Sequence, residues 1–222
     1  MPVRFGFAKI GHLFCMGMLM TRASQKKDTR EDILAASVPL FARYGYEGVS
    51  MRQIAAEVGV QPAALYYYFP DKQKLHLAVM EFALKDSSTE ATAALHDAQP
   101  PLVRLNNFCV IMIDSLSANP ELLQLLQRER LTDDQVRSRL LYEEVFAKPF
   151  EALIYTVKEM EPDQDPLLLA ISVIGLVNFH LETKPVRRFM PGWRPEHEWP
   201  ETLSLHVASL LKRIFSEEEV SR

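Results

Sequence analysis

Residues 49–72 read V-S-M-R-Q-I-A-A-E-V-G-V-Q-P-A-A-L-Y-Y-Y-F-P-D-K, and this stretch decides the fold. Ser50 can cap a helix, and Gln53 follows three residues later, the spacing of a capping box. Met51, Ile54, Ala55 and Val58 then recur at helical spacing and define one apolar face. Gly59 suits the left-handed residue that ends a helix. Val60 can plug the corner. Gln61 stands at the next cap position, and Pro62 suits the first turn of a second helix. Leu65 and Phe69 are four apart and can face inward, which leaves Ala63, Ala64, Tyr66 and Tyr67 outside. A helix, a glycine turn and a second helix with a small and tyrosine-bearing outer face form a helix-turn-helix, the element that enters a DNA major groove.

Composition agrees with a helical, water-facing protein built around that element. The chain has 222 residues, of which 48% are hydrophobic and 24% charged, so it can bury a full core. Its net charge of −4 excludes a general polycation, but the charge is unevenly spread. Residues 22–75 carry 8 Lys/Arg against 6 Asp/Glu, whereas residues 76–222 carry 15 against 23. The first segment is the one suited to a polyanion. Cys15 and Cys109 form neither a disulfide framework nor a zinc spacing, which fits a reduced, cytoplasmic compartment. Cys109 lies in an apolar helical run and reads as a core residue.

The pattern outside 49–72 is helical throughout, and the expected class is all-α. A first helix starts at Thr29, with Asp32 three residues on, and ends at Gly45. Ile33, Ala36, Leu40, Phe41 and Tyr44 mark its expected inner face, and Pro39 predicts a bend. Asp71 caps a fourth helix, expected to about Lys85 before the composition drifts to Ser, Thr and Ala. Later helices are expected at 102–117, 121–131, 133–160 with a kink at Pro149, 167–183 and 200–215. Helix 167–183 is apolar nearly all round, so it must be covered on several sides. His180 and Glu182 on it read as core or interface groups rather than metal ligands. Residues 184–199, with Trp193 and Trp199, form a long connection of the kind that is often functional or self-packed.

The stretch Phe5–Met20 is apolar and rich in Met, but interrupted by His12 and too short to span a bilayer. Residues 1–27 are expected to be a disordered tail or a mis-assigned start, with a helical extension and a targeting segment as the other readings. The remaining expected units are a DNA-binding head at 28–75 and an effector-binding and dimerisation body at 76–222.

The run from Thr29 to Phe82 resembles the N-terminal DNA-binding domain of TetR-family transcriptional regulators. The resemblance rests on L-F-A-R-Y-G-Y at 40–46, the helix-turn-helix, and L-Y-Y-Y-F-P-D-K at 65–72, in that order and spacing. It implies an all-helical homodimer with three head helices, a fourth linking helix and a C-terminal effector domain. It also implies a dimer interface formed by the last two long helices, here 167–183 and 203–215. Arg52 matches a position that contacts a base or phosphate. Gln61, Pro62, Ala63 and Ala64 match the start of the recognition helix, Tyr66 and Tyr67 match phosphate or base contacts, and Lys72 matches a phosphate contact. Two departures stand out. A Ser-Lys-Gly-Thr-like stretch is frequent where this chain has 61–64, so a basic residue is lost from the reading face. Histidine is frequent where Tyr68 stands.

Chemistry is compatible with these roles. Gln61 can bond adenine in bidentate fashion, and Arg52 guanine. The alanines can meet thymine methyls or permit close approach, and Tyr66 and Tyr68 can instead be core residues with locally satisfied hydroxyls. An enzyme is the reading from a different class, but the sequence has no H-E-x-x-H, P-loop, G-x-G-x-x-G or G-x-S-x-G. An interaction module with a degenerate head is a third. No cofactor, metal or membrane partner is expected. The expected partners are double-stranded operator DNA, a second copy of the chain, and a small apolar or amphipathic effector that releases a repressor from a palindromic site. Phe108, Met112, Leu116, Arg128, Phe146, Phe150, Ile174 and Asn178 are the candidate effector contacts. Apolar walls with a few polar anchors suit a ligand site, though the same residues can also build a core.

Overall fold

The structure, a computed structural model, describes residues 29–216. The expectations for 1–27 and for the acidic end at 217–219 lie outside the described residues. All regular structure among the described residues is helical. The first helix, α1, covers residues 29–44 and continues through Pro39. Ile33, Leu34, Ser37, Val38, Phe41 and Ala42 are its buried residues. Tyr44 was expected inside but is half exposed. The buried stripe turns instead through Leu34, Val38 and Ala42, and the Ser37 hydroxyl is satisfied by the Ile33 carbonyl at 2.6 Å. Gly45 ends the helix at φ 71°.

Helices α2 (Met51–Val58) and α3 (Pro62–Tyr68) form the helix-turn-helix. The capping box is present. The Gln53 amide N–H donates to Ser50 Oγ at 3.3 Å, and the Ser50 N–H donates to Gln53 Oε1 at 2.8 Å. Gly59 lies at φ 75°, where a side chain is strained, and Val60 N–H closes back on the Ala55 carbonyl at 2.9 Å. Ile54 and Leu65 are fully buried and Phe69 nearly so, which locks the two helices onto α1.

Asp71 Oδ1 accepts from the Lys74 N–H at 2.7 Å and opens α4, Lys72–Leu95. This helix is one turn after another of unbroken rod well past the expected end near Lys85. Its Ser and Thr residues do not break it: Thr89 and Thr92 return their hydroxyls to the carbonyls four residues back at 2.7 Å, and Ala91 and Leu95 are buried against the body. The head is therefore continuous with the body through a single helix.

In the body, α5 (Pro101–Ala118) is central and packs against α4, α8, α9 and α11. Leu105, Phe108, Cys109, Ile113 and Leu116 form its buried face. Burial pushes the Cys109 thiol up to about 12, as its core assignment requires. Arg104 ties the end of α4 to α5 by donating to the Leu95 carbonyl at 2.9 Å, and it pairs with Glu159. Helix α6 spans Pro120–Glu129. Helix α7 (Gln135–Leu141) runs through a π turn at Tyr142–Phe146 into α8, Ala147–Met160. Pro149 has no N–H to return to the preceding turn, and the wider π turn just ahead of it takes up the mismatch. Helix α9 covers Pro166–Glu182, a short α10 covers Lys184–Arg187, and α11 covers Pro200–Ser216. Between α10 and α11 the connection is packed on itself. Trp193 Nε1 and Arg187 both donate to Glu198, at 3.1 and 3.3 Å.

Candidate functional site

The outer face of the helix-turn-helix is open. Gln61, Pro62, Ala63 and Ala64 at the start of α3 are all exposed. Gln61 stands at the N-cap but makes no capping bond, so its amide is not consumed by the helix. Tyr67 is 66% exposed, with its ring edge-on to Tyr68 at 5.2 Å. Tyr66 is half exposed and Tyr68 half-buried, so of the two only Tyr68 leans toward the core. Arg52, Tyr66 and Lys72, from three different helices, line one shallow groove at the start of α2. A groove edged by a helix N-terminus, a guanidinium and a phenol is chemically suited to a phosphate.

Lys72 differs from a simple phosphate contact. Its ammonium donates to the Tyr46 carbonyl at 2.9 Å and lies 4.2 Å above the Tyr46 ring. It thus braces the 45–48 turn as well as edging the groove. Arg30 was not singled out from sequence. It is exposed, and its guanidinium lies 5.2 Å over the Phe69 ring, just beyond α3.

Directly behind this turn lies a buried charged junction. The Arg137 guanidinium of α7 lies 4.3 Å over the Tyr46 ring, and its side chain is only 7% exposed. It pairs with Glu129 at 3.5 Å, with Glu47 at 3.7 Å and with Asp134 at 3.5 Å. Glu129 is also 3.2 Å from His76 Nε2, and His76 stands edge-on to Phe41 and Tyr46. A carboxylate in the last turn of a helix opposes the helix dipole. That local conflict was the available sequence signal for Glu129, and it was missed.

The end of α6 gathers three roles in three consecutive residues. Arg128 Nε donates to the Ala42 carbonyl at 2.6 Å, and its guanidinium also reaches the Arg43 carbonyl. Glu129 holds His76 and Arg137. Arg130 pairs with Glu182 on α9. Arg128, expected to meet an effector, is therefore a cap on the end of α1. The carbonyls left open by the last turn of α1 are what draw it there.

A cavity of about 290 Å³ opens between α4, α5, α6, α7, α8 and α9. Six of the expected contacts line it: Phe108, Met112, Phe146, Phe150, Ile174 and Asn178. Leu116 does not. It is buried one turn beyond Met112, against the neighbourhood of Leu203 and Trp199. Arg130, just past the end of α6, also lines the cavity, and the polar lining residues not singled out from sequence are Ser87 and Ser88 of α4, Glu129 of α6 and Ser138 of α7. They come from elements whose register over the cavity depends on the tertiary packing.

Helix α9 keeps a second apolar face uncovered. Leu168, Ile171 and Phe179 are exposed on it, with Gly175 between them leaving open space at the backbone. On α11, Leu205 and Ile214 are exposed. His180 and His206 meet edge-on across the two helices at 5.4 Å. Burial, the neighbouring His206 and Arg187 lower the pKa of His180, which favours its neutral form. Among the described residues there is no group of three metal-ligating side chains, and no helix is long and apolar enough to cross a membrane.

These features have counterparts in known proteins. The profile of bacterial regulatory proteins of the tetR family matches residues 33–79. The nucleoid occlusion factor SlmA of Marinomonas sp. (strain MWYL1) is 24% identical over 195 residues, covering 85% of this chain and 98% of its own. The HTH-type transcriptional repressor NicS of Pseudomonas putida is 32% identical over 111 residues, about half of each chain. Among solved structures, AibR in complex with isovaleryl coenzyme A and operator DNA superimposes with a TM-score of 0.65 at 20% identity, covering 84% of this chain and 98% of that one. Residues 33–79 thus match the DNA-binding head of the tetR family of bacterial regulatory proteins, and the all-helical body behind it shares the fold of solved regulators.

Proposed function

We propose that the protein is a ligand-released repressor, with a head at 28–75 that reads DNA and a body at 76–222 that binds an effector and dimerises. One observation carries this reading: Glu129 is both a wall of the cavity and a partner of the residues that brace the head. A ligand that displaces the end of α6 acts on Arg128, and through it on the end of α1. It can do so only by its differential affinity for the free and DNA-bound states. A tenfold release corresponds to about 1.4 kcal/mol of coupling, and operator must weaken the ligand by the same factor. The test is a thermal-shift screen of metabolites, followed by titration of each hit with and without saturating operator. Equal ligand affinity in both conditions overturns the release mechanism. A DNA-bound factor with no effector is the second reading, favoured by the full-length likeness to nucleoid occlusion factors, and it predicts that no hit is coupled to DNA.

Gln61 is proposed to read a base, while Arg52, Tyr66, Tyr67 and Lys72 position the backbone, with Pro62, Ala63 and Ala64 allowing close approach. Gln61→Ala is expected to cost about 1–3 kcal/mol on the preferred site and little on random DNA. Lys72→Ala is expected to weaken all sequences and lower the salt slope by about one unit. Anisotropy titrations at several salt concentrations separate the two, and the reverse pattern overturns the assignment.

The exposed faces of α9 and α11 are proposed to pair with a second copy. Two heads related by a two-fold axis then require a palindromic operator. Phe179→Glu places a charge in the centre of the α9 face and is expected to shift sedimentation at micromolar concentration from dimer to monomer. A wild-type chain that sediments as a monomer removes the dimer from the proposal.

A further inference from the structure

We infer that the cavity selects an apolar amine, a molecule with a hydrocarbon body and a protonated nitrogen, rather than a fatty acid or an acyl thioester. The inference rests on the reading of this cavity as an effector site and names the chemistry of its occupant.

The cavity wall is mostly hydrocarbon and aromatic. Phe108, Phe146 and Phe150 present three phenyl rings, and the Phe146 and Phe150 rings meet at 65° with centroids 6.3 Å apart. Aromatic faces attract an organic cation through their quadrupoles. The polar end of the wall holds acceptors. Glu129 has only 9% of its side chain exposed; its Oε1 lies 3.2 Å from His76 Nε2, and its Oε2 has no hydrogen-bond donor. Arg137 Nε lies 3.5 Å away as an ion pair, without bond geometry. The amide oxygen of Asn178, on the facing α9, is also buried without a donor. Buried acceptors of this kind cost stability until a donor reaches them. An ammonium supplies up to three N–H donors together with the charge that a carboxylate prefers.

An anionic ligand meets the opposite situation. Among the described residues that line the cavity, Arg130 is the cation, and it is already paired with Glu182. A carboxylate brought to the polar end faces the like charge of Glu129, with only neutral serine hydroxyls and the Asn178 amide N–H beside it as donors, and holding two like charges there is strongly unfavourable.

The experiment uses the full chain and four probes with one hydrocarbon body: phenylbutylamine, phenylbutanol, phenylbutyrate and phenylbutyryl coenzyme A. Calorimetric titration is expected to rank the amine about tenfold tighter than the alcohol, with the carboxylate and the thioester weaker still. Glu129→Gln is expected to remove most of the amine's advantage while leaving the alcohol within about threefold. Because Glu129 also pairs with Arg137, Asn178→Leu provides a second variant at a site free of ion pairs, and it is expected to weaken the amine several-fold. A carboxylate or thioester that binds as tightly as the amine overturns the inference. So does a series in which nothing binds, or an amine affinity unchanged in both variants. Operator binding by the ligand-free protein is measured in parallel. Its loss would count against the regulator reading alone, whereas normal DNA binding with the wrong ligand ranking counts against the amine alone.

Discussion

Arg137→Met is expected to destabilise the protein by about 3–5 kcal/mol, a substantial share of the stability of a domain of this size. The guanidinium is buried, and it neutralises Glu129 while reaching Glu47 and Asp134 at the surface. Removing it strands the Glu129 carboxylate, whose remaining neighbour is His76. The cost is the desolvation of that unpaired charge, so it should fall when the charge is removed as well. The double variant Arg137→Met/Glu129→Gln is therefore expected to recover much of the loss. Denaturant unfolding of the two singles and the double gives the coupling energy directly. Additive effects would mean that the two groups act separately and that the junction is not one electrostatic unit.

Leu65→Ala is expected to abolish operator binding at physiological temperature while the body stays folded. Leu65 is fully buried between α2, α3 and the rest of the head. Truncating a buried leucine costs about 2–5 kcal/mol, and the spread depends on how far the surroundings can collapse. The head is small, with Ile33, Phe41, Ile54 and Phe69 as its other main buried side chains. It has little reserve to absorb such a loss. The body has its own core around α5, so its helical signal and its ligand binding should persist. Circular dichroism with DNA anisotropy across temperature checks both parts. Wild-type operator affinity in Leu65→Ala would show that the reading helix does not depend on this contact.

Local chemistry made the head legible. The Ser50–Gln53 capping box, the left-handed Gly59 and the Asp71 cap each act within three or four residues, so a sequence displays them directly. Where local and tertiary terms competed, the tertiary term decided. Tyr44 has the right period to be inside, but Leu34, Val38 and Ala42 take the buried stripe. Residues 85–95 have weak helix formers, but packing of Ala91 and Leu95 against the body keeps α4 helical to its end.

The apolar half of the cavity could be read because aromatic and aliphatic residues on α5, α8 and α9 had to face inward somewhere. Its polar half could not. Glu129 and Ser138 look like ordinary surface residues along the chain, and only the approach of α6 and α7 to α4 brings them to the cavity and covers Glu129. Arg128 shows the same limit in reverse, since nothing within its own helix indicates that it caps α1, 86 residues earlier in the chain. By itself the sequence determined the all-helical class, the helix-turn-helix and its outward residues, because capping, turn geometry and helical period are short-range. Only the tertiary structure decided which charges are buried together and which side chains share the cavity. Those outcomes depend on desolvation and on distances between segments far apart in the chain.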